Sequence, residues 1–225
     1  ISHDFRSPLT SIHGYAQAML DGTIPYEAQE KYLNIILSET DRLTNLTSNL
    51  LELNSFNGDN VLLDITTFNI CETIVQTVNT LEGTAAKKEI SFVLDYNTQK
   101  ELLVEADESK IHQVLYNLID NAVKFSHNNS EIKISLRKKG AKVFVSVKDS
   151  GIGIPKESLN KVFDRFYKTD ISRGKDKRGT GLGLSISKEI IQAHNQTINV
   201  VSTVDVGTEF VFTLKYHSKK QEASS

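Results

Sequence analysis

His112-Gln113-Val114-Leu115-Tyr116-Asn117-Leu118-Ile119-Asp120-Asn121-Ala122-Val123-Lys124-Phe125 superimposes two patterns on one run of residues. Its apolar residues recur at helical spacing, and the surrounding sequence predicts a helix over 108–125. Asn117, Asn121 and Lys124, four and three residues apart, share one face of that helix between apolar neighbours. Outward from this helix the periodicity alternates between helix and strand. Strands are predicted at 61–65, 90–95, 131–138, 142–149, 197–203 and 208–216, with helices at 69–86 and 184–194. Lys138-Lys139-Gly140-Ala141-Lys142 reads as a hairpin turn, and Val143-Phe144-Val145-Ser146-Val147 alternates as a half-buried strand does. The pattern predicts an α+β sandwich, one sheet with helices on one face.

The first 58 residues read differently. Phe5, Leu9, Ile12, Ala16 and Met19 form the seam of one helix, and Asp21-Gly22-Thr23-Ile24-Pro25 breaks it. A second helix starts near Tyr26 with Glu27 and Glu30 at its positive end. Its seam is Ile36, Glu39, Leu43, Leu46, Leu50 and Leu53, and it runs to about Phe56, before Asn57-Gly58-Asp59-Asn60. Two helices leave much of such a seam exposed, so the economical completion is a dimer with a four-helix bundle. The alternative is that the hairpin packs on the rest of its own chain. Two domains follow, a helical hairpin over 1–58 and an α+β sandwich over 59–225.

Composition excludes several classes. The 225 residues are 39% hydrophobic and 24% charged, within the globular range. Lys plus Arg number 26 against 28 Asp plus Glu, so nothing global recruits nucleic acid or an anionic membrane. Cys71 is alone, which excludes an intrachain disulfide framework and fits a reducing compartment. No stretch approaches the ~18 apolar residues of a membrane span. The chain opens on Ile1 without an initiator methionine, as a piece of a longer protein would, and a sensory or membrane region is expected upstream. The polar tail from Ser218 to Ser225 is expected to fray.

Four local signals carry the chemistry. In Ser2-His3-Asp4-Phe5-Arg6-Ser7-Pro8-Leu9, His3 lies ~200° around the helix from Phe5 and faces water. A neutral imidazole attacks phosphorus through one nitrogen while the other holds its proton toward an acceptor, for which Asp4 is adjacent. Pro8 cannot donate to the carbonyl of Asp4, which frees or bends the helix there. The second signal is the asparagine face, since amide and phosphate oxygens are hard ligands that suit Mg²⁺. The third, Asp149-Ser150-Gly151-Ile152-Gly153-Ile154-Pro155, follows a strand directly; a buried carboxylate there accepts from the exocyclic amine of adenine. The fourth, Arg178-Gly179-Thr180-Gly181-Leu182-Gly183-Leu184, sets three glycines before a helix N-terminus, where backbone donors converge on an anion. Between the last two, Val162-Phe163-Asp164-Arg165-Phe166-Tyr167-Lys168 is an aromatic cluster with two cations, readable as a hinge or as a core helix end. A loop is expected over 170–177. Taken singly, each signal also describes an ordinary surface helix, turn or loop.

In this order and spacing, the signals resemble the histidine kinases of bacterial two-component systems over essentially the whole chain. The boxes read His3 to Pro8, Asn117 to Lys124, Asp149 to Gly153, Phe163 to Phe166 and Gly179 to Gly183. The resemblance implies a dimeric hairpin bearing a phosphorylated histidine, followed by an ATP-binding sandwich shared with gyrase and a heat-shock chaperone. It implies His3 as nucleophile with Asp4 and Ser7 as its catalytic neighbours, and Asn121 as the Mg²⁺ ligand with Asn117 near it. Phe125, Asp149, Gly151 and Gly153 would form the base site. Lys124 and either Arg165 or Lys168 would lie near the phosphates, Phe166 would belong to the nucleotide site, and Gly179, Thr180, Gly181, Leu182 and Gly183 would form the lid end. The implied partners are a second copy of the chain and the receiver domain of a response regulator. The implied setting is the cytoplasmic portion of a membrane-anchored protein.

Asn117 stands where related ATPases carry a water-activating glutamate, and an amide is no base, so the γ-phosphoryl is kept for His3. Asp4 replaces the usual glutamate. Ser7 replaces a Thr or Asn that positions a water in relatives that dephosphorylate their partner, so phosphatase activity is left open. Asn195-Gln196 replaces a usual Gly-Gly, far from the chemistry. A scaffold that binds nucleotide without phosphotransfer, or a conformational ATPase, are the competing functions.

Overall fold

The computed structural model describes residues 2–55, 62–96, 101–169 and 179–218; of Ser2, His3, Glu52 and Ser55 the backbone alone is described. The expectations for the side chain of His3, for Phe56 to Val61, for the 170–177 loop with Arg178, and for the tail beyond Ser218 lie outside the described residues.

Helices α1 (Ser2–Leu20) and α2 (Gln29–Ser55) form the hairpin, joined through a single 3₁₀ turn at Tyr26–Ala28. Gly22 takes φ +76, and Asp21 Oδ1 accepts from the Thr23 amide at 3.0 Å, which fixes the reversal. Ile24 is buried under the turn, and Tyr15 meets Tyr32 at 5.1 Å between ring centroids. Pro8 sits inside α1, buried, without ending the helix.

The remaining elements are β1 (Thr66–Asn69), α3 (Ile70–Ala86), β2 (Ser91–Tyr96), β3 (Leu103–Ala106), α4 (Glu108–Phe125), β4 (Glu131–Lys139), β5 (Lys142–Lys148), α5 (Lys156–Leu159), α6 (Gly183–Ala193), β6 (Ile198–Thr203) and β7 (Gly207–Tyr216). The sheet runs β1-β3-β7-β5-β4-β2, with β6 also paired to β7. Only β2 and β4 are parallel among the described pairs. The β4–β5 hairpin closes with Lys139 opposite Lys142 and Gly140 at φ +60, as the turn residues predict.

The core lies between this sheet and α3, α4 and α6. Ile132, Ile134, Val143, Val145 and Phe212 face Ile111, Leu115, Leu118, Ile119, Ile186 and Ile190, all essentially without exposure. On α4 the buried residues fall at 111, 114, 115, 118, 119, 122 and 123, one stripe of a 3.6-residue helix. The stripe orients the helix and turns the asparagine face outward along its flank. Asp107 caps α4, its Oδ1 accepting from Lys110 N at 3.1 Å. The Asp107 amide donates to His194 Nε2 at 2.9 Å, and His194 Nδ1 lies 2.8 Å from the Ile190 carbonyl. That pair of contacts fits neutral imidazole with its proton on Nδ1, and ties the start of α4 to the end of α6.

Two expectations need correction. The apolar run at 61–65 is not a strand in its described part: Leu62 is 96% exposed and Ile65 half exposed, and pairing with β3 starts only at Thr66. The β3 strand itself, four residues directly before a helix cap, escaped the sequence reading because it is too short to show a period. The seam of α2 also has a second partner: Leu46 and Leu53 are completely buried and belong to the core cluster of the α/β layer, while α2 packs on α6. Leu9, Leu33, Leu37 and Leu51 remain half or more exposed, so the upper hairpin keeps an unpartnered apolar surface.

Candidate functional site

An open cleft of about 590 Å³ lies between α4, the turn after β5, the N-terminus of α6 and the flank of α2. It gathers the second, third and fourth sequence signals into one place. Asn117, Asn121, Lys124 and Phe125 enter it from α4; Asp149 and Gly153 from the turn after β5; Lys168 from the aromatic segment; and Gly179, Thr180, Gly181 and Gly183 from the glycine run.

Asp149 follows the last residue of β5 and is 5% exposed. Its Oδ1 accepts from Gly151 N at 2.9 Å and Thr208 N at 3.2 Å. Its own amide donates to the Thr208 carbonyl at 2.9 Å, which locks the residue between β5 and β7. Burial raises the carboxyl to about 6, against the lowering effect of those two amides and of His127. Asp149 lines the cleft, and both of the hydrogen bonds its carboxylate accepts from the described residues go to Oδ1, which leaves Oδ2 as an acceptor for a ligand. Gly153 must be glycine: at φ +67 a Cβ would collide with the Thr203 carbonyl.

At the opposite end, Asn117 Nδ2 donates to the Gly183 carbonyl at 3.1 Å and approaches Ser187 Oγ at 3.4 Å. A Cβ on Gly183 would meet the Asn117 amide at 3.4 Å, an ordinary contact, so the Asn117 hydrogen bond and not the missing side chain ties this position to α4. Lys124 Nζ pairs with Asp120 Oδ2 at 2.7 Å, one turn away on α4. Phe166 holds φ +64, unusual for a bulky residue, while its amide donates to the Gly181 carbonyl at 3.0 Å. Such a conformation costs about 1–3 kcal/mol and is maintained by its surroundings, here the core against which the ring packs.

Four expected residues do not line the cleft. Arg165 points to Glu189 on α6 at 3.4 Å, because the segment turns it to the surface. Leu182 is fully buried as the residue before α6, Phe166 packs on the core, and Gly151 lies against the Phe125 backbone. At the N-terminus Asp4 is half-buried and Ser7 exposed, on the same helix as the backbone of His3. The sequence reading missed Arg42, Asn45 and Asn49 of α2 and Gln113, Tyr116 and Asp120 of α4, which also line the cleft. The α4 residues were detectable as neighbours of Asn117 on the same face. Those of α2 were not, since no local pattern tells that this helix meets the sandwich.

Chemically, one end offers a buried acceptor beside backbone and apolar side chains, suited to a flat polar heterocycle. The other offers a helix N-terminus with glycines, two amides and cations, suited to phosphates. Amide oxygens fit a hard divalent ion. Among the described residues no three His, Cys, Asp or Glu converge, so such an ion would take further ligands from the phosphates.

Comparison with known proteins decides the lineage. The family of histidine kinase-, DNA gyrase B- and HSP90-like ATPases matches residues 106–218, and the His Kinase A (phospho-acceptor) domain matches residues 1–58. The chain belongs to the sensor histidine kinases. The sensor histidine kinase WalK of Bacillus subtilis (strain 168) is 34% identical over 227 residues, covering 99% of this chain and 36% of the relative. The chain thus spans about a third of that relative's length. Among solved structures, the histidine kinase ThkA in complex with the response regulator TrrA superimposes with a TM-score of 0.78 at 32% identity, covering 98% of this chain and 61% of that one. Full-length ShkA in complex with AMPPNP superimposes with a TM-score of 0.75 at 25% identity, covering 96% and 45%. As expected from sequence, this histidine kinase core joins a helical hairpin to an α/β sandwich.

Proposed function

We propose that this kinase core binds Mg-ATP in the cleft and phosphorylates its own His3, then passes the phosphoryl group to an aspartate of a response-regulator receiver domain. The observation that carries the reading is the cleft itself, with the buried acceptor of Asp149 at one end and the Asn117–Gly183 clasp at the other. Residues 1–58 serve as dimerisation and phosphoacceptor hairpin and 59–225 as ATP-binding domain. The exposed leucines of α1 and α2 are what a second copy would cover.

In this reading Asp149 Oδ2 accepts from the 6-amino group of adenine and rejects a 6-carbonyl, which would face a second acceptor. Gly179 to Gly183 and Lys168 hold the phosphates, and Lys124 contributes charge from α4. Asn121, with Asn117 beside it, would hold Mg²⁺, which supplies neutralisation of phosphate charge. One imidazole nitrogen of His3 attacks the γ-phosphorus; the P–N bond forms as the bond to the β-phosphate oxygen breaks and ADP leaves. Asp4 takes or orients the proton on the other nitrogen. Asn117 is no base and is engaged with Gly183, so water is not activated there. The AMPPNP complex of ShkA and the TrrA complex of ThkA support the nucleotide and partner assignments. We assign the chain to the cytoplasmic portion of a membrane-anchored sensor, where ATP is available and a lone buried Cys71 is at home. Among the described residues no helix is long and apolar enough to cross a membrane.

Incubation with γ-labelled ATP and Mg²⁺ tests this. Wild-type protein retains label and His3→Gln does not. Bound nucleotide without label would favour the scaffold, and free phosphate without label the ATPase.

A further inference from the structure

Arg42, on the flank of α2, is the one cleft cation that the hairpin contributes among the described residues. Its side chain is 17% exposed, and its Nε is buried without a hydrogen-bond partner. One Nη reaches Glu39 Oε2 at 3.5 Å, a single long contact that leaves most of the five guanidinium donors uncommitted. Leaving a buried guanidinium N–H unmade is costly, so a position that keeps one is built for an acceptor that arrives from elsewhere.

Geometry says which acceptor. Asp149 marks the base end of the cleft, and the start of α6 with Asn117 and Asn121 marks the phosphate end. Helix α2 packs on α6, with Leu46 and Leu53 sunk in the core. Arg42, Asn45 and Asn49, spaced three and four apart, form a polar stripe of α2 that lines the cleft. Resting on the nucleotide reading above, we propose that Arg42 is a phosphate ligand of the bound nucleoside triphosphate, so that the hairpin completes the ATP site instead of only receiving the phosphoryl group. A guanidinium presents a planar fork to phosphate oxygens, which a lysine at the same point does not. Asn45 and Asn49 flank it as neutral donors.

The test is calorimetric binding of adenosine, ADP and ATP, with Mg²⁺ at fixed ionic strength, to wild type, Arg42→Gln, Arg42→Lys and Asn45→Asp. Arg42→Gln is expected to weaken ATP by about 10- to 30-fold while adenosine changes less than about twofold, and Arg42→Lys to recover part of the loss. Asn45 is exposed, so Asn45→Asp keeps the fold whatever Arg42→Gln does. Its added charge should weaken ATP by about fivefold and leave adenosine alone. Equal losses for ATP and adenosine would make Arg42 a packing residue and overturn the inference, as would ATP affinity indifferent to Arg42 and Asn45. Wild-type protein that binds none of the three overturns the nucleotide reading and this inference together. Wild-type protein that prefers ATP to adenosine but ignores both substitutions overturns this inference alone.

Discussion

Replacing Asp149 by Asn should make the nucleotide-free protein more stable at neutral pH while removing its proposed adenine reader. The carboxyl is 5% exposed and raised to about 6 from 3.8, chiefly by burial. A shift of about two units corresponds to about 3 kcal/mol between the charged and the neutral form. Because the folded value lies above the unfolded one, the stability conferred by protonation is complete below pH 3.8 and lost as pH rises through 6. Above pH 6 the native state therefore carries the cost of a buried carboxylate. An Asn amide oxygen still accepts from Gly151 and Thr208, and its neutral form resembles the protonated acid. The variant should gain about 1–3 kcal/mol at pH 8, or about 3–9 °C in melting temperature, and nothing below pH 4. Urea or thermal melts at half-unit steps from pH 4 to 8 measure this. In the same variant Nδ2 opposes the adenine amine, donor to donor, so ATP affinity should fall about 100-fold or more. A stability difference that does not vary with pH, or a variant less stable at pH 8, would refute the account of Asp149.

Three further outcomes follow from the geometry. Asp107→Ala removes an acceptor for Lys110 N, Ser109 Oγ and Asp64 N and should cost about 2–3 kcal/mol in urea melts. Burial pushes this carboxyl up, but the three hydrogen bonds from Ser109, Lys110 and Asp64 outweigh it and hold it below the usual range. Its contribution is thus present above pH 3.8 and lost on further acidification. Gly153→Ala drives a Cβ into the Thr203 carbonyl at a positive φ; a fall of about 2–4 kcal/mol in stability and loss of nucleotide binding are expected, seen by melting and calorimetry. Asn117→Ala unfastens Gly183 at the start of α6, and should weaken ATP about tenfold while lowering stability by about 1 kcal/mol.

Local chemistry was legible where one segment supplies all of it. The seam of α4, its asparagine face, the carboxylate at the end of β5 and the glycines before α6 are each written in a few consecutive residues, and the fold brings them to one cleft. The strand at 66–69 was displaced because an apolar run suggests burial, whereas Leu62 and Ile65 stand in water and Phe68 is the residue that packs. The choice between Arg165 and Lys168 was not legible, because a cation in an aromatic cluster carries no sign of direction: Arg165 reaches Glu189 on another helix, whereas Lys168 lines the cleft. The contribution of α2 to the cleft was invisible for the same reason. Leu46 and Leu53 look alike whether they meet a second hairpin or the chain's own sandwich.

The most direct measurement of the central claim is the chemical identity of the phosphorylated residue. After reaction with γ-labelled ATP and Mg²⁺, the account predicts a label lost in acid, stable in alkali, and located by peptide mass spectrometry on His3. A label that survives acid, or that maps to a serine, threonine or aspartate, would contradict it.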